Sequence, residues 1–571
     1  MDESWVFVLL ILIVKITCYE VEVRVKQGLI VGTTEASVLE GKRYYAFYGV
    51  PYARPPIKKL RFKDPVTPKK WKYPYDARAE FHGACAQPHI VQKHAKYGNE
   101  DCLYLNIYTP QLPKADSYNL KPVMVWIHGY AFASSFSHIY GADFLLDNDV
   151  LLVTVTHRIG VFGFLKVNET DTHANMGLKD IVMALKWIKR NIDKFNGDKT
   201  KVTIMGSGSA ATFLSSLLMT KARTLFSKMI LQSGALFSPS YFQRSESFEL
   251  KTLADNLSKR GFKNVLRAST DEIILASQKI FNNIELLNFQ RPLIPFMPTI
   301  ELKSNKSLLT ISPEHFFSGR TKLNSSMPLL IGFTSQESIA EVIPFLHNPQ
   351  YLNMFKQSFK FMVPFSDGCH YDYTSETYER IAMAIKKEYF KDGISEKSLE
   401  RFVKYTSDLQ KYPVYKFIKT LLQLKFSKMF VYKFNYVGKF NTMKANSLAG
   451  ANLAIKGAAS GDELCYILKC EPMWENYVLL RNETSNRDTV LIKQMAKWWT
   501  DFAKTGDPTP AGQPNKYYWP ATTTKGDSLM LIGKESKLVH FASEEKTYKF
   551  WNSIYDKYYK KEACAKVHDE L

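Results

Sequence analysis

A short run of small residues marks the segment of this sequence that is best placed to do chemistry. Residues 206–210 read Gly-Ser-Gly-Ser-Ala and follow an apolar run at residues 202–205. A buried strand that leads into small residues and then a helix is the setting in which a serine nucleophile is held on a tight turn, within the pattern G-x-S-x-G. The residue at the apex of the turn is Gly208. The pattern therefore predicts the turn but places no nucleophile on it.

Apolar runs that alternate with a helical pattern predict the elements around this turn. Continuous apolar runs occur at residues 123–127, 150–155, 202–205, 229–231, 329–331 and 430–434. Runs of this length are typical of strands that are buried on both faces. A helical spacing of three and four residues, as on the inner face of an amphipathic helix, joins Leu178, Ile181, Leu185, Ile188 and Ile192. We therefore expect an α/β protein with a mostly parallel central sheet and helices on both faces.

Further motifs follow one another in a fixed order. Residues 47–53 read Phe-Tyr-Gly-Val-Pro-Tyr-Ala, residues 100–106 read Glu-Asp-Cys-Leu-Tyr-Leu-Asn, and residues 158–164 read Arg-Ile-Gly-Val-Phe-Gly-Phe. On these motifs the chain resembles the type-B carboxylesterases, the family of carboxylesterases, cholinesterases and insect esterases, over most of residues 24–545. The resemblance implies an α/β-hydrolase fold and a disulfide between Cys85 and Cys102. The helical and loop-like segment from about residue 238 to residue 324 is expected to form a helical cap region.

The catalytic triad of that family can be placed on this sequence. The nucleophile position is Gly208, the acid position is Glu337, and the histidine position is Ser460, each inside a segment that otherwise follows the family pattern. A glycine cannot attack a carbonyl, and without the histidine no base activates a neighbouring serine. The resemblance thus implies an ester-hydrolase scaffold that has lost its nucleophile and its base. For Glu337 we expect a structural role, as a buried carboxylate hydrogen-bonded to neighbours such as Ser460.

The oxyanion-hole positions are altered as well. The family pattern is H-G-G followed by a small residue and an aromatic residue, and here residues 128–132 read His-Gly-Tyr-Ala-Phe. Two donor positions therefore fall on Tyr130 and Ala131, and the third falls on the N–H of Ser209. A Cβ and a ring at Tyr130 restrict a backbone that must come close to the substrate oxygen.

Three functions are compatible with this pattern. The first is a non-catalytic protein that binds an apolar ester or lipid-like ligand in the gorge of the scaffold. The second is an interaction subunit for a protein partner. The third is a weak carboxylic ester hydrolase with an unconventional nucleophile, such as Ser207 or Ser209, and a distant base such as His128 or His157. We expect a catalytically impaired or inactive member of the family.

Both ends of the chain carry targeting signals. The apolar run at residues 5–14 is too short to span a bilayer comfortably and is closed by Lys15, which predicts a signal peptide at residues 1–18. An uncleaved signal anchor is the alternative. Between the two signals we expect one domain at residues 19–560 with no further membrane span, then a tail at residues 561–571. The tail ends in the HDEL signal for return to the endoplasmic reticulum, formed by His568, Asp569, Glu570 and Leu571.

These signals predict residence in the lumen of the endoplasmic reticulum, with its retrieval receptor as a partner, and modifications typical of that compartment. The pairing of four further cysteines stays open because sequence alone does not give connectivity. These are Cys369, Cys465, Cys470 and Cys564. The spacing of the cysteines does not resemble a zinc site, and we expect no metal or cofactor. Glycosylation candidates are Asn168, Asn256, Asn305, Asn324 and Asn482.

The composition is that of a globular protein with an excess of positive charge. Hydrophobic residues make up 45% of the chain, and the formal net charge is +21. The lysines are scattered along the sequence and no nucleic-acid motif accompanies them, so nucleic acid is not an expected partner. We interpret the excess as a solvated basic surface. Acidic partners or anionic surfaces are the alternative.

Overall fold

The computed structural model describes most of the chain after residue 19. The described ranges are residues 20–79, 83–88, 96–114, 119–129, 139–166, 174–237, 248–262, 264–280, 295–318, 326–364, 375–451, 453–512, 517–524 and 528–559. The signal peptide expected at residues 1–18 and the tail at residues 561–571 lie outside these ranges.

Short strands and longer helices alternate along the described residues. The strands are β1 (Val21–Val25), β2 (Gly28–Ala36), β3 (Arg43–Pro51), β4 (Tyr75–Asp76), β5 (Gln87–Pro88), β6 (Lys96–Tyr97), β7 (Tyr104–Thr109), β8 (Lys121–Ile127), β9 (Tyr140–Gly141), β10 (Leu151–Val155), β11 (Gly197–Ser207), β12 (Lys228–Gln232), β13 (Leu329–Thr334), β14 (Met429–Phe434), β15 (Lys469–Cys470), β16 (Ser528–Ile532) and β17 (Lys537–His540).

The α-helices are α1 (Asp143–Leu146), α2 (Gly160–Phe164), α3 (Met176–Asn191), α4 (Ser209–Ser216), α5 (Phe248–Ser258), α6 (Thr270–Ser277), α7 (Pro313–Ser318), α8 (Ile343–His347), α9 (Glu376–Tyr389), α10 (Leu399–Gln423), α11 (Thr442–Leu448), α12 (Trp474–Leu480), α13 (Arg487–Thr505) and α14 (Ala542–Tyr558). Short 3-10 helices lie at Lys58–Leu60, Ile192–Phe195, Leu217–Met219, Lys221–Leu225, Ile339–Glu341, Pro349–Lys356, Phe359–Met362, Glu396–Ser398, Leu464–Tyr466 and Glu471–Met473.

A large mixed sheet forms the centre of the structure. Its strand order is β1-β2-β3-β7-β10-β8-β11-β12-β13-β14-β16-β17, and β4 also pairs with β2. All neighbours from β10 through β16 in this order are parallel, and the flanking strands are antiparallel. The predicted α/β-hydrolase fold with a mostly parallel sheet is confirmed, and each of the six apolar runs lies on one of the parallel strands.

Alternate residues of the parallel strands pack on opposite faces of this sheet. Along β8, Val123, Val125 and Ile127 join a core that contains α3 and α4. Met124 and Trp126 join a second core that contains α13. Both faces are therefore covered by helices, which explains why the strands read as continuous apolar runs. In the region expected to cap the sheet, the described residues form α5, α6 and α7.

One buried ion pair fastens α3 to the loop after β10. The guanidinium of Arg158 donates to both oxygens of the Asp180 carboxylate, at 2.8 and 2.7 Å, and both side chains are almost fully buried. Paired, hydrogen-bonded charges of this kind tolerate burial, whereas removal of one partner would leave the other uncompensated. No described helix is long and apolar enough to cross a membrane.

Candidate active site

The turn after β11 has the geometry of an elbow that holds a nucleophile. Gly208 lies between β11 and α4 with φ 59° and ψ −123°. Residues with a Cβ occupy such backbone conformations only at a cost. The N–H of Gly208 donates to the carbonyl of Gln232 at 2.8 Å, which ties the turn to β12. Among the described atoms, a Cβ added to Gly208 would have only the Gly129 carbonyl oxygen within 4 Å, at 3.9 Å. The elbow therefore has space for a side chain that Gly208 does not supply.

The neighbours of Gly208 must be small for the turn to form. A Cβ at Gly234 would lie 2.1 Å from the carbonyl oxygen of Gly208, a distance that real Cβ atoms do not adopt. A Cβ at Gly206 would lie 3.0 Å from Leu214 and 3.1 Å from Ala210. The small residues around the elbow are thus explained by close approach of backbones, whereas a glycine at position 208 is not.

The acid and histidine positions lie on two loops that are hydrogen-bonded to each other. The N–H of Gln336 donates to the Ala458 carbonyl at 2.9 Å, and the N–H of Ala458 donates to Ser335 Oγ at 2.8 Å. Within the second loop, the N–H of Ala459 donates to Asp462 at 2.7 Å. Backbone and side-chain bonds therefore fix these loops without any contribution from a catalytic histidine.

Glu337 is buried and faces Ser460. Its carboxylate accepts a 2.6 Å hydrogen bond from the N–H of Thr334, and the side chain of Ser460 lies close enough to favour the charged carboxylate. Burial raises the pKa of Glu337, although the Thr334 hydrogen bond and the nearby Ser460 side chain oppose the shift. Ser233 Oγ also lies near the carboxylate but makes no hydrogen bond of normal geometry to a described residue. Glu337 thus sits in a polar pocket that holds a carboxyl group without a histidine.

A second buried carboxyl group lies next to this pocket, and the sequence did not single it out. Gln232 Nε2 donates to Glu463 at 3.3 Å, and the hydroxyl of Tyr432 donates to the same oxygen at 3.4 Å. All three side chains are fully buried. Burial raises the pKa of Glu463 to about 8, and the charge of Glu337 adds to the shift. The signal available in the sequence was a polar residue, Gln232, that closes an apolar strand at its carboxyl end.

Glu341 lies on the 3-10 helix that follows Glu337, where it is exposed and accepts a hydrogen bond from Gln410. Glu337 and Glu463 are therefore two buried carboxyl groups near the carboxyl ends of β12 and β13. Within the described ranges, no group of three or more His, Cys, Asp or Glu side chains has an arrangement that could hold a metal ion.

Two of the side chains considered as unconventional catalysts, Ser209 and His157, contact main-chain carbonyl groups, and His128 Nε2 lies 3.5 Å from the Tyr140 hydroxyl. Ser209 Oγ donates to the Gly129 carbonyl at 2.9 Å. The two ring nitrogens of His157 lie 3.1 and 3.2 Å from the carbonyl oxygens of Arg158 and His128. Burial lowers the pKa of His157. Ser207 closes β11 and is buried. The N–H of Ser209 lies at the amino end of α4, where the helix dipole favours negative charge.

Other residues named from the sequence are distributed as follows. The two oxyanion-hole positions Tyr130 and Ala131 lie outside the described residues, as do Asn168, Asn324, Cys369 and Cys564. The expected Cys85–Cys102 disulfide is present, and a second disulfide joins Cys465 to Cys470, a pairing that the sequence left open.

The described sequons differ in their surroundings. The amide nitrogen of Asn256 donates to the carbonyls of Ala276 and Lys279, at 3.3 and 3.0 Å. Asn305 and Asn482 are exposed.

Comparison with known proteins relates this site to esterases. The model of the carboxylesterase family matches residues 19–551. Juvenile hormone esterase of Tribolium castaneum is 29% identical over 514 residues, which cover 85% of this chain and 83% of that protein. Esterase FE4 of Myzus persicae is 29% identical over 544 residues, which cover 93% of this chain and 92% of that protein.

A solved structure has the same fold. The crystal structure of juvenile hormone esterase from Manduca sexta, with OTFP covalently attached, matches with a TM-score of 0.78 and 26% identity. The match covers 94% of this chain and 100% of that chain.

Proposed function

Because this chain belongs to the carboxylesterase family but carries Gly208 and Ser460 at the nucleophile and base positions, we propose that it is a member that does not hydrolyse esters. In this proposal it resides in the endoplasmic reticulum and binds an apolar ester or lipid-like ligand without turnover. The family membership agrees with the resemblance found in the sequence. The absence of hydrolysis, the location and the ligand are the proposed parts.

The observation that carries the proposal is the elbow without a nucleophile. Acyl transfer of this type requires a side chain that attacks the carbonyl and a base that takes its proton. Loss of a serine nucleophile or its histidine typically costs about 10⁶-fold in turnover. Among the described atoms, none lies close enough to crowd a Cβ at Gly208, so contacts with them do not account for the glycine. Its presence is consistent with release from the requirement for catalysis.

The contacts of Ser460 support the same conclusion. Its side chain lies beside Glu337 and favours the charged carboxylate, so the acid has a neutral hydroxyl group next to it in place of an imidazole. A serine hydroxyl does not take up a proton near neutral pH and cannot act as the base. The buried acid accepts a hydrogen bond from Thr334 and has Ser460 beside it, which favours a structural role for it.

The ligand class follows from the relatives. They carry the name esterase, and two of those compared are juvenile hormone esterases, so the scaffold is one that accommodates an ester. Without hydrolysis, such a ligand would be held and released intact. The expected location rests on the two sequence signals, the apolar run after the N-terminus and the terminal HDEL.

Labelling with a fluorophosphonate tests the absence of a nucleophile. The natural glycosylated protein, Gly208→Ser, Ser460→His and the double variant are incubated with the probe, and intact masses are recorded. We expect an adduct on the double variant and none on the natural protein. An adduct on the natural protein would establish a weak esterase with an unconventional nucleophile and refute the proposal. The adduct would then be mapped to its residue, with Ser209→Ala as the matched control.

Ligand binding is tested separately by thermal unfolding. A ligand that binds only the folded state raises the melting temperature increasingly with its concentration. We expect such a shift with long-chain carboxylic esters and no release of the free acid. If no ester shifts the transition and a protein co-purifies stoichiometrically, the interaction subunit is the better description and the ligand part of the proposal fails.

A further inference from the structure

Three basic segments that are far apart in sequence converge at the turn between β1 and β2. The N–H of Lys26 in this turn donates to Asn191 Oδ1 at 3.3 Å, which brings the end of α3 to the turn. The N–H of Trp71 donates to the Gln27 carbonyl at 2.7 Å, which brings the loop before β4 to its other side. The tertiary fold therefore gathers lysines that look scattered in the sequence.

The cations of these segments are exposed. Arg24 and Lys26 lie on the first segment, Lys69, Lys70 and Lys72 on the second, and Lys189 and Arg190 on the third. We call these seven side chains the basic face. None of them forms an ion pair with another described residue.

The acidic groups around the basic face are few. Glu22 lies on β1 two residues before Arg24 and is exposed. Glu20 and Asp76 both pair with Arg78, and Asp193 is near Lys194, so cations outside the basic face balance two of these three carboxylates. The basic face therefore carries a net positive charge that the described surface does not neutralise.

Ordinary structural reasons explain only some of these cations. Lys189 and Arg190 lie in the last turn of α3, where positive charge is favourable for the helix dipole. Arg24 and Lys26 belong to an edge strand and its turn, and charge on an edge opposes aggregation. Lys69, Lys70 and Lys72 lie outside helices and strands, so neither reason applies to them.

An exposed aromatic residue lies among the cations. The side chain of Tyr73 is 70% exposed, and Lys72 Nζ lies 5.3 Å from the centre of its ring. Trp71 is half-buried against Gly28 at the foot of the same loop. Tyrosine and tryptophan are enriched at the headgroup level of bilayers, and clustered lysines and arginines are attracted to anionic lipids. A surface that combines both features matches a lipid headgroup layer.

We propose that the basic face docks this protein on an anionic phospholipid bilayer, with Tyr73 at the level of the headgroups. The contact is peripheral and electrostatic, and it does not depend on the proposed function. The basic face is also remote from the elbow. The end of α3 leads through a 3-10 helix into the amino end of β11, whereas Gly208 follows its carboxyl end. Gly197 and Gly206 pair with Lys121 and Ile127 of β8, so at about 3.3 Å per residue the strand separates the two by about 20 Å.

Vesicle sedimentation tests the proposal with a matched pair of variants. The full mature protein is mixed with vesicles of phosphatidylserine and phosphatidylcholine, or of phosphatidylcholine alone. The first variant combines Lys26→Gln, Lys69→Gln, Lys70→Gln and Lys72→Gln. The control removes the same charge from exposed lysines elsewhere, as Lys387→Gln, Lys397→Gln, Lys425→Gln and Lys428→Gln.

We expect the natural protein and the control to bind the anionic vesicles and not the neutral ones. Each cation near an anionic surface contributes about fivefold in partitioning, so the first variant should bind more than about 100-fold more weakly. Binding should fall when ionic strength rises from about 0.1 M to about 1 M, since the Debye length shortens from about 10 to about 3 Å. Tyr73→Ser should weaken vesicle binding severalfold and leave heparin binding unchanged.

Several results would overturn the proposal. Equal losses in the two quadruple variants would show that net charge and not the basic face is responsible. Binding to heparin without binding to anionic vesicles would assign the surface to a soluble polyanion.

A folding control accompanies the first variant. Its four substitutions are also made in the Gly208→Ser, Ser460→His protein. If the melting temperature and the fluorophosphonate labelling are unchanged, the variant is folded, and a loss of vesicle binding cannot be attributed to misfolding.

Discussion

Replacement of Gly208 by alanine measures the strain that the elbow would impose on any nucleophile. At φ 59° and ψ −123° a residue with a Cβ is strained by about 1–3 kcal/mol. Loss of glycine flexibility in the unfolded chain offsets about 0.4–1 kcal/mol. No steric penalty is added, because the nearest described atom to the new Cβ is the Gly129 oxygen at 3.9 Å. Gly208→Ala should therefore lower the free energy of unfolding by about 0.5–2 kcal/mol.

This loss corresponds to a small shift in melting temperature. The unfolding entropy of a domain of about 530 residues is about 1.1 kcal/mol/K, so the shift should be a decrease of about 0.5–2 °C. Differential scanning calorimetry at one fixed scan rate can resolve it. A common scan rate is needed because large disulfide-bonded proteins often unfold irreversibly.

Two other glycines provide the controls. Gly261 has φ 89° and no described atom within 4 Å of an added Cβ, so Gly261→Ala reports backbone strain alone and should give a similarly small decrease. Gly234→Ala would place a Cβ 2.1 Å from the Gly208 carbonyl oxygen and should prevent accumulation of folded protein. A Gly208→Ala protein that melts higher than the natural one, or that fails to fold as Gly234→Ala does, would refute this account of the elbow.

Three further outcomes follow from the structure. The pKa of Glu463 is raised to about 8 in the fold and is 4.5 for a free side chain, so the folded state keeps a proton that the unfolded chain loses, and stability should fall as pH rises from about 5 to 8. In calorimetric scans, Glu463→Gln should reduce this fall by on the order of 2–3 kcal/mol between pH 5 and pH 7. An unchanged pH profile in the variant would contradict the raised pKa of Glu463. Replacing both cysteines of the Cys85–Cys102 disulfide by serine should lower the free energy of unfolding by about 3 kcal/mol, and the same change at Cys465–Cys470 by about 2 kcal/mol, because the first disulfide closes the longer loop. If the second variant had the lower melting temperature, loop closure would not be the cause. Glycopeptide mapping should find a glycan on Asn482 and none on Asn256, because the Asn256 side-chain amide donates to two carbonyl groups while Asn482 is exposed. Full glycosylation of Asn256 would show that those hydrogen bonds do not form.

Local patterns predicted the parts of the structure that depend on local sequence. The apolar runs gave the parallel strands because strands covered on both faces need apolar residues at every position. The elbow was recognisable because residues 206–210 are small and follow an apolar run, and an added Cβ at Gly206 would come close to Leu214 and Ala210. The family resemblance placed the loop of the missing histidine around Ser460, where Asp462 and the bridge between Ala459 and Gln336 fix the backbone independently of position 460.

Features that depend on tertiary contacts were not predictable from one sequence. The Cys465–Cys470 pairing was one of several that four open cysteines allowed. The buried contact of Gln232 with Glu463 joins residues 231 positions apart, and neither residue type alone indicates it. The sequence showed an excess of positive charge but not the place of the basic face, since its three segments are brought together by hydrogen bonds of Gln27 and Asn191.

The state of Glu337 links the two missing catalytic residues to each other. With Ser460 beside it, the carboxyl group faces a neutral donor, and burial raises its pKa. A catalytic acid must instead be ionised so that it stabilises the imidazolium formed when the histidine takes the proton of the nucleophile. Ser460→His would itself bring a positive partner to Glu337 and lower its pKa, because an opposite charge favours the carboxylate. The effects of Gly208→Ser and Ser460→His on esterase activity should therefore be strongly non-additive. Gly208→Ser alone supplies a nucleophile with no base, Ser460→His alone supplies an ion pair with nothing to activate, and only the double variant should turn over ester substrates or react rapidly with a fluorophosphonate.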